Sequence, residues 1–357
     1  MEIGKLHHLG YTFTEIPFDN VVYEYHSYAP DEFTMQTSNT SYKLTYPQDS
    51  MAIIPADAQT NYVNMLNDAA QYNNGSSNTW QVLTNNIPEA VPNSNINIGN
   101  MRITLNNLAS NTTVTVDEIK VSEYDKSNNF IKDVFYEDFS SNFDYELLET
   151  GTGVLKDAQI QSSTNGGYSG SNAKIIQGPT GPNNTSGVDD AIMFRDWNLS
   201  FFKINPNNKY QVSVRVKVQN PGPNTVVKPV MIYYNCDGVT TLNKSGIEAA
   251  LQPYIDYSNQ KNVPIFMGEY GVTNWCFKEI KNVSNGTLYT SLGNLGGEQW
   301  INDMLSVISD KGLNSSYWCY SEAWEEIFGL YVGPLQDWKM YINEYLENAF
   351  MDYLGGF

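Results

Sequence analysis

The chain is poor in histidine, cysteine and positive charge, and each scarcity removes a class of function. His7, His8 and His26 are its three histidines, too few for a His-based metal centre, and the adjacent His7-His8 pair reads as ordinary surface. Cys236, Cys276 and Cys319 are odd in number and lack metal-ligand spacing. They are expected as buried or free thiols rather than as a disulfide framework. Lys and Arg number 20 against 39 Asp and Glu, a net charge of −19 with no basic cluster. Nucleic acid and anionic membrane surfaces are therefore poor partners. No apolar run approaches the length of a membrane span, so no membrane insertion is expected. Met1-Glu2-Ile3-Gly4-Lys5 carries no apolar signal region, which fits a chain that stays inside the cell or one whose beginning is missing.

What the chain does hold is length, tyrosine and asparagine. Its 357 residues allow two domains with cores of their own. An acidic surface rich in Asn and Tyr suits, by correlation, a secreted protein that meets a neutral polymer. The most informative stretch is Val263-Pro264-Ile265-Phe266-Met267-Gly268-Glu269-Tyr270-Gly271-Val272. An apolar run of this length reads as a parallel strand buried on both faces. The two glycines let the backbone turn where the strand stops, leaving Glu269 at its C-terminal end. In a β/α barrel that end of a strand is the catalytic face. Taken alone, Gly-Glu-x-Gly reads first as a strand-end carboxylate that meets solvent or caps the next helix.

Two further stretches change that balance. Asn20-Val21-Val22-Tyr23-Glu24-Tyr25-His26-Ser27-Tyr28-Ala29-Pro30 is a second β-run, and its alternation puts Glu24, His26 and Tyr28 on one face. Ser316-Tyr317-Trp318-Cys319-Tyr320 is a third, followed by Phe328-Gly329-Leu330-Tyr331. With His-x-Tyr-x-Pro, Val-Pro-x-Phe-x-Gly-Glu-x-Gly and Tyr-Trp in this order, the chain resembles glycoside hydrolase family 5. These are the cellulase-like retaining enzymes of the (β/α)8 barrel, and the matched stretches correspond to their sixth, seventh and eighth strands.

The resemblance implies an extracellular glycosidase cutting β-1,4-linked glucan or a related plant polysaccharide, without a cofactor. Glu269 would be the nucleophile that forms a covalent glycosyl-enzyme. His26 and Tyr28 would hydrogen-bond in the cleft and aim that carboxylate, ordinary barrel packing being the alternative for both. Trp318 would floor the cleaved sugar, since an indole face suits the C–H face of a pyranose; core packing is its alternative. Trp275 and Trp324 would line sugar subsites or else anchor loops. Glu322, Glu325 and Glu326 read as a solvated run.

Between these stretches the texture differs. From about Tyr46-Pro47, Asn, Ser, Thr and Gly dominate, with strands expected at 101–107, 112–123, 130–137, 172–177, 198–204, 209–219 and 227–235. The clearest alternation is Tyr210, Val212, Val214, Val216, Val218. In the 112–123 run, Val114 and Val116 are out of phase with Ile119 and Val121, which calls for a β-bulge near Asp117-Glu118. Short strands with polar connections argue for an antiparallel β-sandwich. Gly167-Tyr168-Ser169-Gly170-Ser171-Asn172-Ala173 resembles jelly-roll carbohydrate-binding modules. By that resemblance Trp80, Trp197 and Tyr168 are candidate stacking platforms, with core aromatics as the alternative. Asp117, Glu137 and Asp138 are weak candidates for a structural Ca²⁺ site.

The expected fold is therefore α/β plus all-β: a partial (β/α)8 TIM barrel made of C-terminal strands and helices, interrupted by a jelly-roll β-sandwich. The expected domains are a barrel segment at 1–46, the carbohydrate-binding-like insert at 47–236, and the seventh and eighth β/α units at 237–357. Helices are expected at 243–261, 297–311 and 335–350. The barrel-like pieces fall well short of the about 250 residues of a full barrel. The family's acid/base Glu follows an Asn at the end of the fourth strand, and no Asn-Glu pair occurs in residues 1–50. Both points make the missing N-terminal half of the barrel an expected partner. The alternative is a non-catalytic polysaccharide-binding protein that uses the sandwich.

Overall fold

The computed structural model describes residues 20–37, 40, 43–54, 60–65, 72–73, 77–85, 87–109, 111–140, 145–149, 159–177, 191–195, 201–236, 239–290, 294–323 and 328–355. It is a mixed helix and strand structure in which sheet outweighs helix, 42% against 22%. Two compact units divide it. One gathers the residues up to Asp49 and from Thr240 onward; the other runs through Ser50–Ile54 and Ala58–Val239.

The first unit is built on a parallel sheet of three strands: β1 (Tyr23–His26), β2 (Ile265–Tyr270) and β3 (Asn314–Tyr317), in that order. Among the described residues three helices of more than one turn accompany it: α1 (Lys244–Lys261), α2 (Gly297–Lys311) and α3 (Glu344–Gly355). Asn243 starts α1 by accepting the Gly246 N–H at 3.1 Å, and Pro253 lies inside the helix without ending it. Along α2, Trp300, Ile301, Met304, Leu305 and Ile308 form one buried stripe. It stops at Gly312, whose φ of 62° suits a residue without Cβ.

Aromatic pairs lock helices to strands. Tyr25 stacks on Tyr254 of α1 at 4.1 Å, Tyr23 meets Tyr257 edge-on at 5.3 Å, and Tyr317 meets Phe350 of α3 at 5.0 Å. One face of the sheet is thus covered, while Glu24 and His26 project from the other. The described residues form no closed barrel: three parallel strands make an open sheet where the sequence suggested part of a barrel.

A second sheet in this unit was not anticipated. Its strands run in the order Leu288–Thr290, Glu279–Asn282, Tyr341–Ile342, Tyr331–Gly333, Ser321–Ala323. It takes up residues expected to open the final helix, which begins at Glu344 instead of 335. Asn343 sets that start, because its Oδ1 accepts the N–H groups of Tyr345 and Leu346.

The second unit is two antiparallel sheets. One contains Gln159–Ser163, Ala173–Gln177, Thr113–Tyr124, Lys209–Gln219 and Trp80–Thr84, with Phe130–Glu137 on Thr113–Tyr124. Tyr210, Val212, Val214, Val216 and Val218 all point into the core. The bulge is present: Lys120 faces Ser213 while Asp117 faces Arg215, and Glu118 takes a φ of 43°. The other sheet is centred on Ile98–Asn106 and Val226–Cys236. Phe135 from the first meets Phe202 from the second at 5.9 Å.

Candidate functional site

Met267 and Glu269 are two residues apart, so a regular strand would put both on one face. Met267 pairs with Tyr25 and is fully buried, whereas Glu269 pairs with His26 on the open face. The difference is one extra residue. Gly268 bulges out of register, and Tyr270 returns to the buried side. The bulge re-aims the carboxylate. The Glu24 side chain fills the room the glycine leaves, since a Cβ on Gly268 would lie 1.9 Å from Glu24 Oε1.

Two groups converge on one oxygen of Glu269. The Tyr28 hydroxyl donates to Oε2 at 2.8 Å, and His26 Nδ1 lies 3.2 Å from the same atom. The other imidazole nitrogen, Nε2, stands 3.6 Å from Glu24 Oε1, so one ring is flanked by two carboxylates. Burial, and then the bond to Glu269, hold the Tyr28 pKa far above the ordinary tyrosine value. Tyr28 therefore stays a donor at any physiological pH.

Tyr28 is itself held in place. Thr34, on the one-turn helix Asp31–Thr34, donates through Oγ1 to the Tyr28 carbonyl, and the Thr273 N–H donates to the Thr34 carbonyl at 2.9 Å. The Phe328 ring stands edge-on to Tyr28 at 5.5 Å. Gly271 leaves room where a Cβ would lie 2.6 Å from the Trp318 carbonyl and 3.4 Å from the Tyr28 ring. Trp318 follows β3 directly, its N–H donating to the Tyr270 carbonyl at 2.9 Å, with the side chain 40% exposed. His26 and Tyr28 thus both meet Glu269, and Trp318 is tied to Tyr270, the residue after it.

The other expectations divide. Trp275 packs against the buried pair Ile280 and Val332. Trp324, Trp197, Glu325 and Glu326 lie outside the described residues. Glu322 corrects the reading of a solvated run: it is buried, and its Oε1 accepts the N–H groups of Phe328 and Gly329. It holds the segment that carries Phe328 against Tyr28. Arg215 sits 4.0 Å over Tyr168 and Lys217 sits 5.0 Å over Trp80, so one face of each ring is already taken.

The calcium candidates are engaged elsewhere. Asp117 accepts from the N–H groups of Glu118 and Tyr168 and from Ser171 Oγ, Glu137 from Phe139 N–H, and Asp138 from Ser140. Among the described residues no three His, Cys, Asp or Glu side chains gather to hold a metal ion. The cysteines are free thiols, and burial pushes the Cys276 thiol up to about 12.

Sequence reasoning placed Glu24 on the His26 face but missed its tie to Gly268; the signal was a glycine inside an otherwise apolar strand. It missed Thr34 and Phe328 as supports, for which nothing local announces a long-range contact. Compared with known protein families and with curated proteins, the chain matches none.

Proposed function

We propose that the chain is the C-terminal part of a retaining β-glycosidase acting on β-1,4-glucan or a related plant polysaccharide outside the cell. In this reading the three parallel strands belong to a (β/α)8 barrel, and the two antiparallel sheets are a jelly-roll insert in the loop after β1. The observation that carries the reading is the Glu269 carboxylate, turned by the Gly268 bulge onto an open face, where Tyr28 donates to it and His26 faces it.

Glu269 attacks the anomeric carbon and forms a covalent glycosyl-enzyme, which water then hydrolyses. Tyr28 fixes which lone pairs remain available for that attack, since its O–H occupies one side of Oε2. Trp318 supplies an apolar face for the sugar. The second carboxylate, which protonates the leaving oxygen, comes from the N-terminal half of the barrel, ~5–5.5 Å from the nucleophile as retention requires. Among the described residues the parallel sheet ends at β1 and β3, and the stability of parallel sheets whose faces are both covered supports such completion.

The test is to supply the N-terminal half and assay β-1,4-glucan with Glu269 and with Glu269→Gln. The substitution keeps the size and removes the nucleophile, and activity is expected to fall at least about 10³-fold. Full activity in the variant would end the assignment.

A further inference from the structure

A shallow groove opens beyond Trp318, between Cys319–Ser321 on one wall and Leu335–Lys339 on the other. Its walls are fastened by backbone bonds: the Leu330 N–H donates to the Cys319 carbonyl at 2.9 Å and the Tyr331 N–H to the Tyr320 carbonyl at 3.0 Å. Ser321 Oγ bridges the walls by donating to the Trp338 carbonyl at 3.2 Å. Val332, buried beneath, packs with Ile280. The groove therefore lies at the edge of the five-stranded sheet, and its second wall is the turn segment Leu335–Lys339 between the strands Tyr331–Gly333 and Tyr341–Ile342.

Its surface is unusual for one facing water. Tyr320 is 61% exposed, Leu335 72% and Trp338 46%, three large apolar groups lining one concavity. Single exposed apolar residues need no explanation, but several converging on a groove are the mark of a binding surface. Polar groups accompany them. Lys339 Nζ lies 4.8 Å over the Tyr320 ring, the Tyr331 ring meets Tyr320 edge-on at 5.4 Å, and Gln336 and Asp337 also line the groove. Asp337 and Lys339 balance in charge. Aromatic faces with a few hydrogen-bonding groups and no net charge suit a neutral sugar ring, which offers a C–H face and outward hydroxyls.

We infer that this groove binds the continuation of a neutral β-linked glycan whose reacting sugar rests on Trp318, with Trp338 and Tyr320 as its platforms. The inference deepens the glycosidase reading and rests on it. Cys319 and Tyr320, which line the groove, follow Trp318 directly in the chain.

The test is a calorimetric titration of the full chain with cellotriose and with cellohexaose. The wild-type chain is expected to bind the longer oligosaccharide more tightly. Trp338→Ala and Tyr320→Ala are each expected to weaken cellohexaose about tenfold and to leave cellotriose unchanged. Trp338→Phe, which keeps an aromatic face, is expected to retain part of the advantage and guards against a variant that loses affinity by loosening the wall. Equal affinity for the two oligosaccharides, or a length advantage that survives both alanine variants, overturns the groove and leaves Glu269 untouched. A fall in cellotriose binding of the same size also overturns it. Failure of the wild-type chain to bind either oligosaccharide overturns the groove, whereas the glycosidase reading stands or falls on the Glu269→Gln assay of the completed enzyme. Protection of Trp338 by the N-terminal barrel half, in place of sugar, assigns the groove to that segment and overturns the proposal.

Discussion

At the residue scale, the site turns on a missing methyl. Gly268 has no Cβ, and the Glu24 carboxylate fills the space where one would be. Gly268→Ala must push Glu24 aside or shift β2, at an expected cost of about 1–3 kcal/mol by the usual penalty for overpacking. Gly268→Ala combined with Glu24→Ala removes the clash, so the pair should be less destabilised than the two single changes added together. A double-mutant cycle on urea unfolding checks this. Additive energies would mean that Glu24 does not dictate the glycine. Tyr28→Phe is the companion change: it deletes one donor to Glu269 and leaves the Phe328 contact. In the completed enzyme the turnover on β-1,4-glucan is expected to fall about 10–100-fold with little change in melting temperature. Unchanged turnover would remove Tyr28 from the site.

At the element scale, what was legible in the sequence follows the strength of local periodicity. The Lys209–Gln219 strand alternates without interruption, and α2 carries a clean helical stripe, so both were read correctly from their residues. The bulge at Asp117-Glu118 was legible because two alternating pairs fell out of phase. The strands Gln159–Ser163 and Leu288–Thr290 were not, since neither has apolar alternation and both exist through pairing with neighbours. The Gly268 bulge escaped notice for a related reason: an apolar strand has no polar phase to break, so the glycine itself is the one trace of the extra residue. Helix ends depend on single residues. Gly312 closes α2 at φ 62° with nothing within 4 Å of a built Cβ, so Gly312→Ala tests backbone conformation alone. It is expected to cost about 1 kcal/mol, measured as a lowered melting temperature. An unchanged melting temperature would show that the end of α2 frays without consequence.

At the scale of the whole molecule, the two units differ in how completely each buries itself. The antiparallel unit closes its own core, with Val114, Val116, Val212, Val214, Val216 and Leu105 almost entirely excluded from water. In the other unit the described residues end the parallel sheet at β1 and β3, with Glu24, His26 and Glu269 on the face opposite the helices. Parallel strands with open edges are marginal by themselves and prone to association. The two should therefore unfold separately. Calorimetry of the whole chain is expected to give two transitions, with the upper one reproduced by residues 50–239 expressed alone. Adding the N-terminal half of the barrel should raise the lower transition and leave the upper one in place, because ligation of a native state stabilises only the unit that binds. A single cooperative transition, or a rise in both, would mean that the sheet beneath Glu269 is already supported from within the chain and needs no further β/α units to stand.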